Sequence, residues 1–200
     1  RQAGLVLGKL RRKVNSLAPS TVGRALARAG VKADHVTAVG IALSSLAPVV
    51  AYLRALWALP IVILASGAAD VIDGAVARAS GILRPFGSYL DSVSDRYDDL
   101  MYFLAVLVTG MNPYLTLAAL GLSLLVSYSR AKGELLGASM EGVGLMERSE
   151  RIIALVLLTS LVAAGLRLAA AIVLAVIVAL SAATVAIRGY QAWRSLSARR

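Results

Sequence analysis

Long apolar runs separated by short charged clusters set the pattern of this chain. Asp, Glu, Lys and Arg are all absent from His35–Leu53, Ala55–Ala69, Leu100–Ser129, Ile152–Leu166 and Leu168–Ile187. A helix of about 20 residues, rising about 1.5 Å per residue, crosses a hydrocarbon core of about 30 Å. The run Leu100–Ser129 is too long for one crossing, and Gly110-Met111-Asn112-Pro113 is a turn signal inside it, so it reads as two helices. Six transmembrane spans are expected, near residues 35–54, 57–79, 86–110, 113–132, 148–166 and 168–188. The fold class is therefore all-α integral membrane.

Ahead of the spans the period changes. Leu7, Leu10, Val14 and Leu17 recur at helical spacing with Lys9, Arg11, Arg12 and Lys13 between them, the pattern of an amphipathic helix lying in the membrane interface. Pro19 and Ser20 interrupt it, and Ser20 is placed to cap a second short helix carrying Arg24 and Arg28. The expected organisation is a juxtamembrane segment over 1–30, a six-helix catalytic domain over 31–193 and a basic cytoplasmic tail over 194–200.

Composition agrees with the pattern. The chain has 200 residues, is 58% hydrophobic and has a mean hydropathy of +0.76, values that exclude an ordinary soluble domain of this size. The net charge of +10 follows from topology, not from a nucleic-acid partner. Of the 21 Lys and Arg residues, all but Arg54 and Arg167 fall on one side of a six-span chain. The positive-inside rule then places both termini and the acidic segment described next at the cytoplasmic face of the cell membrane. There are no cysteines, which excludes disulfides and thiolate metal sites. The sequence opens on Arg1, as a trimmed or partial chain does, and its first thirty residues lack the unbroken apolar core of a cleavable signal.

The chemistry is concentrated between Asp70 and Asp95. The segment reads Asp70-x-x-Asp73-Gly74-x-x-Ala77-Arg78, then eight residues, then Gly87-x-x-x-Asp91-x-x-x-Asp95. On helices, the first two acids share one face and so do the last two. Four carboxylates in an apolar chain repel one another unless cations join them. Oxygen-only ligands suit a hard ion such as Mg2+ or Mn2+ and argue against zinc. Two such ions can clamp a phosphoryl group in transfer.

Those eight spaced residues resemble the signature of the CDP-alcohol phosphotransferase (CDP-alcohol phosphatidyltransferase) family, with every signature position filled. The resemblance implies that Asp70, Asp73, Asp91 and Asp95 hold two divalent metal ions, that Asp95 is also the base toward the acceptor hydroxyl, and that Gly74, Ala77 and Arg78 line the CDP pocket. It extends from about Gly30 to Trp193. Before the first span the family often has Pro-Asn, where this chain has Ala33 and Asp34; a donor contact made by that Asn amide is not expected here. His35 reads as an interfacial residue, and Asp98 and Asp99 are left outside the site.

Farther on, Ser127-Tyr128-Ser129-Arg130 and Glu147-Arg148-Ser149-Glu150-Arg151 look like the branch of the family that makes phosphatidylinositol phosphate or archaetidylinositol phosphate. That resemblance implies that Ser127, Arg130, Arg151 and Arg188 bind the phosphate of inositol 1-phosphate. It also implies a CDP-lipid donor, release of CMP and a homodimer. Alternatives within the family are a glycerol-phosphate acceptor and a CDP-inositol donor. From another class, a cation or proton transporter also places acids in spans, but here they cluster toward one membrane face.

Overall fold

Prolines and one asparagine decide where the helices start. In the computed structural model, which describes residues 21–81 and 85–197, a short helix over 21–28 precedes six long ones. These are α1 (Ala33–Tyr52), α2 (Ala58–Ser80), α3 (Pro85–Val108), α4 (Pro113–Leu135), α5 (Arg148–Ala163) and α6 (Arg167–Ser197), with no strand among the described residues. Pro85 and Pro113 occupy first helical positions, where the missing N–H costs nothing. The amphipathic stretch Leu5–Leu17 and the cap expected at Ser20 lie outside the described residues.

The long apolar run divides at its turn signal. Gly110 takes φ +84°, a left-handed value that ends α3. Asn112 Oδ1 then accepts the backbone N–H of Leu115 at 3.0 Å and opens α4. Arg167 closes the other helix end: its Nη2 donates to the carbonyl of Thr109 at 2.8 Å and its Nη1 to that of Gly110 at 3.3 Å.

Among the described residues, four helices, α1, α2, α4 and α6, are long and apolar enough to cross a membrane. Helix α3 carries Asp91, Asp95, Asp98 and Asp99 along its length. With its 16 residues and a rise of about 1.5 Å each, α5 is about 24 Å long. Large apolar side chains such as Ile61, Leu117, Ile153 and Ile172 stand exposed on helix faces, as lipid-facing residues do. Helix α6 has 31 residues and continues through Trp193 to Ser197, so most of the segment expected as a tail after 193 is helical.

The chain divides into two compact units. The first contains the described residues up to Leu43 and Ala65–Asp95; the second contains Ser44–Leu64 and the described residues from Arg96 onward. The main hydrophobic core belongs to the second unit and includes Leu59, Ile63, Phe103, Leu158, Leu174 and Ile177. There α6 packs along α4 and α5. In the first unit the small residue Gly40 lets α1 approach α2, with the Ser66 hydroxyl donating to the Gly40 carbonyl at 3.0 Å.

Candidate active site

In the first unit, the start of α1, the end of α2 and the start of α3 enclose a cavity of about 700 Å³. Thr37, Asp73, Gly74, Ala77, Arg78 and Asp91 all line it. The helical period explains why. Asp73, Gly74, Ala77 and Arg78 occupy neighbouring positions within two turns of α2, so one face presents them together. Asp73 is 4% exposed and Thr37 5%, and the Thr37 hydroxyl donates to Asp73 Oδ2 at 2.6 Å. A neutral donor at that distance from a buried carboxylate holds its orientation in the cavity wall. A Cβ on Gly74 would lie 3.2 Å from Arg78 Nη1, which folds back over it. Asp70 lies beside Gly40, its Oδ1 3.3 Å from where a Cβ on that glycine would be. Asp95 is half-buried on α3, one turn after Asp91.

The cavity wall also includes residues not expected in the site. Lys32 lies just before α1 and Asp34 in its first turn, while Ala27 comes from the helix over 21–28 and Gly30 from the turn after it. Gly23 brings that helix against α2, since a Cβ there would lie 2.7 Å from the backbone carbon of Ala75. The sequence does not single out Thr37, because its role depends on a partner 36 residues away.

The second unit gathers the arginines. Arg151 and Asp99 are each 1% exposed and form a two-point pair, Nε to Oδ1 at 3.2 Å and Nη2 to Oδ2 at 2.6 Å. Arg148 Nη2 donates to Asp98 Oδ2 at 2.9 Å. Arg188, 2% exposed, donates from Nε to the Val143 carbonyl at 2.7 Å, from Nη1 to the Val126 carbonyl at 2.5 Å, and from Nη2 to Glu147 Oε1 at 3.4 Å. The loop between α4 and α5 is held to α6 a turn earlier, where Thr184 Oγ1 accepts the N–H groups of Leu145 and Met146, each at 3.0 Å. Arg130 is exposed and pairs with Glu134 at 3.0 Å.

Arg188 engages the Val126 carbonyl, one turn before Arg130 on α4, and Glu147, one turn before Arg151 on α5. Three of the four residues expected around the acceptor phosphate thus come from neighbouring helix turns of the second unit. Ser127 is half-buried next to Val126, whose carbonyl Arg188 engages. Asp98 and Asp99, left out on sequence grounds, turn out to hold the two arginines of α5. No local signal could have found them, because the pairs join residues 50 and 52 positions apart.

The donor set in the first unit has the chemistry of a hard divalent cation. Asp73 and Asp91 face one cavity and offer only oxygen, which suits Mg2+ or Mn2+. Among the described residues no three acidic, His or Cys side chains stand in a ready ligand cage. The fit therefore rests on donor type and on the shared cavity.

Comparison with known proteins gives a consistent result. The family model described as CDP-alcohol phosphatidyltransferase matches residues 31–187. An archaetidylinositol phosphate synthase of Pyrococcus horikoshii is 34% identical over 149 residues, covering 74% of this chain and 79% of that protein. The enzyme of that name from Aeropyrum pernix is 49% identical over 86 residues, 43% of this chain and less than half (44%) of its own length. Two crystal structures of Mycobacterium tuberculosis phosphatidylinositol phosphate synthase superpose on the fold. The one with CDP-DAG bound has a TM-score of 0.74 at 25% identity, covering 88% of this chain and 94% of that one. The one in complex with manganese and citrate has a TM-score of 0.77 at 27% identity, covering 88% of each.

Proposed function

Because the chain belongs to the CDP-alcohol phosphatidyltransferase family, we propose that it transfers a phosphatidyl-type group, diacylglycerol or archaeol phosphate, from a CDP-lipid to inositol 1-phosphate, releasing CMP. The observation that carries the acceptor half is the placement of Arg130, Arg151 and Arg188 on neighbouring helix turns, two of them almost fully buried. A doubly charged phosphomonoester is the natural ligand for several guanidinium groups. The donor half draws support from a cavity lined by Asp73, Gly74, Ala77, Arg78 and Asp91 and from the likeness to a structure with CDP-DAG bound.

In this reading Arg78 binds the diphosphate, and Gly74 and Ala77 leave room for the nucleotide to approach the backbone of α2. Asp70, Asp73, Asp91 and Asp95 hold two divalent ions, Mg2+ or Mn2+. When bound, these neutralise charge on the diphosphate and on the departing CMP. Asp95 accepts the proton of the inositol hydroxyl as that oxygen bonds to the lipid phosphorus and the bond from phosphorus to the CMP oxygen breaks. Ser127, Arg130, Arg151 and Arg188 orient the acceptor through its phosphate. All six long helices cross the cell membrane with the site and both termini cytoplasmic, and the protein works as a homodimer.

The test is CMP release by the purified protein given CDP-lipid, inositol 1-phosphate and Mn2+. Release is expected to need all three, and excess chelator should abolish it. Full turnover in chelator would overturn the metal assignment, and no CMP release under any condition would overturn the transfer itself.

A further inference from the structure

The Asp99–Arg151 pair engages one edge of a guanidinium and leaves the other edge unused. Nε and Nη2 donate to the carboxylate, whereas Nη1 is buried and has no hydrogen-bond partner among the described residues. A structural ion pair in a dry site normally engages every donor, because a buried N–H without an acceptor is costly. The unsatisfied nitrogen belongs to a side chain that is 1% exposed, one turn after the Glu147 that Arg188 engages.

Charge balance sharpens the point. Each arginine of the group already faces one carboxylate: Arg130 faces Glu134, Arg151 faces Asp99 and Arg188 faces Glu147. The group is thus close to neutral. What it offers a phosphate is therefore the direction of its spare donors more than a surplus of positive charge.

We propose that Asp99 is a positioning residue for the acceptor phosphate: by gripping Nε and Nη2 of Arg151 it turns Nη1 toward the anion. This rests on the acceptor reading above and adds a residue that the reading did not include. It also fixes a sign. Asp99→Asn removes a negative charge beside the site, so charge alone would tighten the binding of a dianion; positioning demands the reverse, because the amide cannot grip both nitrogens.

The experiment uses the full chain in detergent with CDP-lipid and inositol 1-phosphate, comparing wild type, Asp99→Asn, Arg151→Gln and the double variant. Asp99→Asn is expected to raise the acceptor KM about tenfold, the loss of one charge-assisted hydrogen bond, while the CDP-lipid KM stays within about twofold of wild type. The double variant is expected to be no worse than Arg151→Gln alone, because Asp99 acts through that arginine. If Arg151→Gln raises the acceptor KM but Asp99→Asn leaves it unchanged or lowers it, Asp99 is not a positioning residue and the acceptor site stands. If neither variant moves the acceptor KM, the acceptor reading fails and takes this proposal with it. Equal losses toward donor and acceptor also overturn it, since they mark a purely structural pair. Should Asp99→Asn not fold, Asp99→Leu/Arg151→Met removes both buried charges together. It is expected to fold, to bind donor and to use inositol 1-phosphate no better than Arg151→Gln, and a wild-type acceptor KM in that variant overturns the proposal.

Discussion

Replacing Thr37 by Val removes one oxygen from the wall of the first unit's cavity and almost no volume. The hydroxyl donates at 2.6 Å to Asp73 Oδ2, and the two residues are 5% and 4% exposed, so bulk water does not readily take its place. A hydrogen bond to a charged group contributes about 1.5 to 3 kcal/mol. The carboxylate that loses it must turn or draw in a water before it can bind a cation. Partners that orient metal-binding carboxylates are typically worth about tenfold to a hundredfold in metal affinity, which matches that energy. Thr37→Val is therefore expected to weaken Mn2+ binding by about tenfold or more, read by electron paramagnetic resonance titration in detergent, and to leave the acceptor KM unchanged. Thr37→Ser, which keeps the hydroxyl, should restore most of the affinity. Mn2+ binding by Thr37→Val within about twofold of wild type would refute the reasoning and leave the bond a detail of packing.

Other outcomes follow from the same geometry. Asp95→Asn keeps the shape of the side chain but removes a base, so turnover is expected to fall by about a hundredfold or more, with a smaller change in CDP-lipid KM in the same steady-state assay. Gly144→Ala places a Cβ 2.5 Å from Thr184 Cγ2 at a residue with φ +140°. Such overpacking costs about 1 to 3 kcal/mol, visible as a lower Tm in a detergent melting experiment. Arg188→Gln removes the donors to Val143, Val126 and Glu147, so it should lower the Tm and raise the acceptor KM together. By contrast, Arg130→Gln breaks only an exposed pair and should leave the Tm unchanged.

How much of this was legible in the sequence depended on how far apart the partners lie. The Asp70–Asp95 motif could be read because its spacing is helical, and α2 and α3 carry it on regular turns. The division of the long apolar run at Gly110–Pro113 could be read because glycine and proline act locally, and the structure places a left-handed glycine and an Asn cap there. The arginine of α5 was chosen on a local pattern, but its partner Asp99 was passed over, since their pairing depends on how α3 and α5 pack in the second unit. The stretch carrying Arg24 and Arg28 reads as part of a juxtamembrane segment, yet Ala27, Gly30 and Lys32 line the cavity of the first unit. Charge and amphipathicity give the environment of such a segment, not the helix it docks against, which here follows from the close approach of Gly23 to Ala75. The length of α6 was underestimated because its apolar run stops near Arg188, whereas helix propensity carries the backbone on to Ser197.

The central claim is acceptor choice, and one comparison tests it most directly: transfer from radiolabelled CDP-lipid to inositol 1-phosphate, inositol and glycerol 3-phosphate by the same preparation. The buried arginines predict a kcat/KM for inositol 1-phosphate at least about a hundredfold above that for inositol, which leaves their donors unpaired, and clearly above that for glycerol 3-phosphate. Equal use of inositol and inositol 1-phosphate, or a preference for glycerol 3-phosphate, would contradict it.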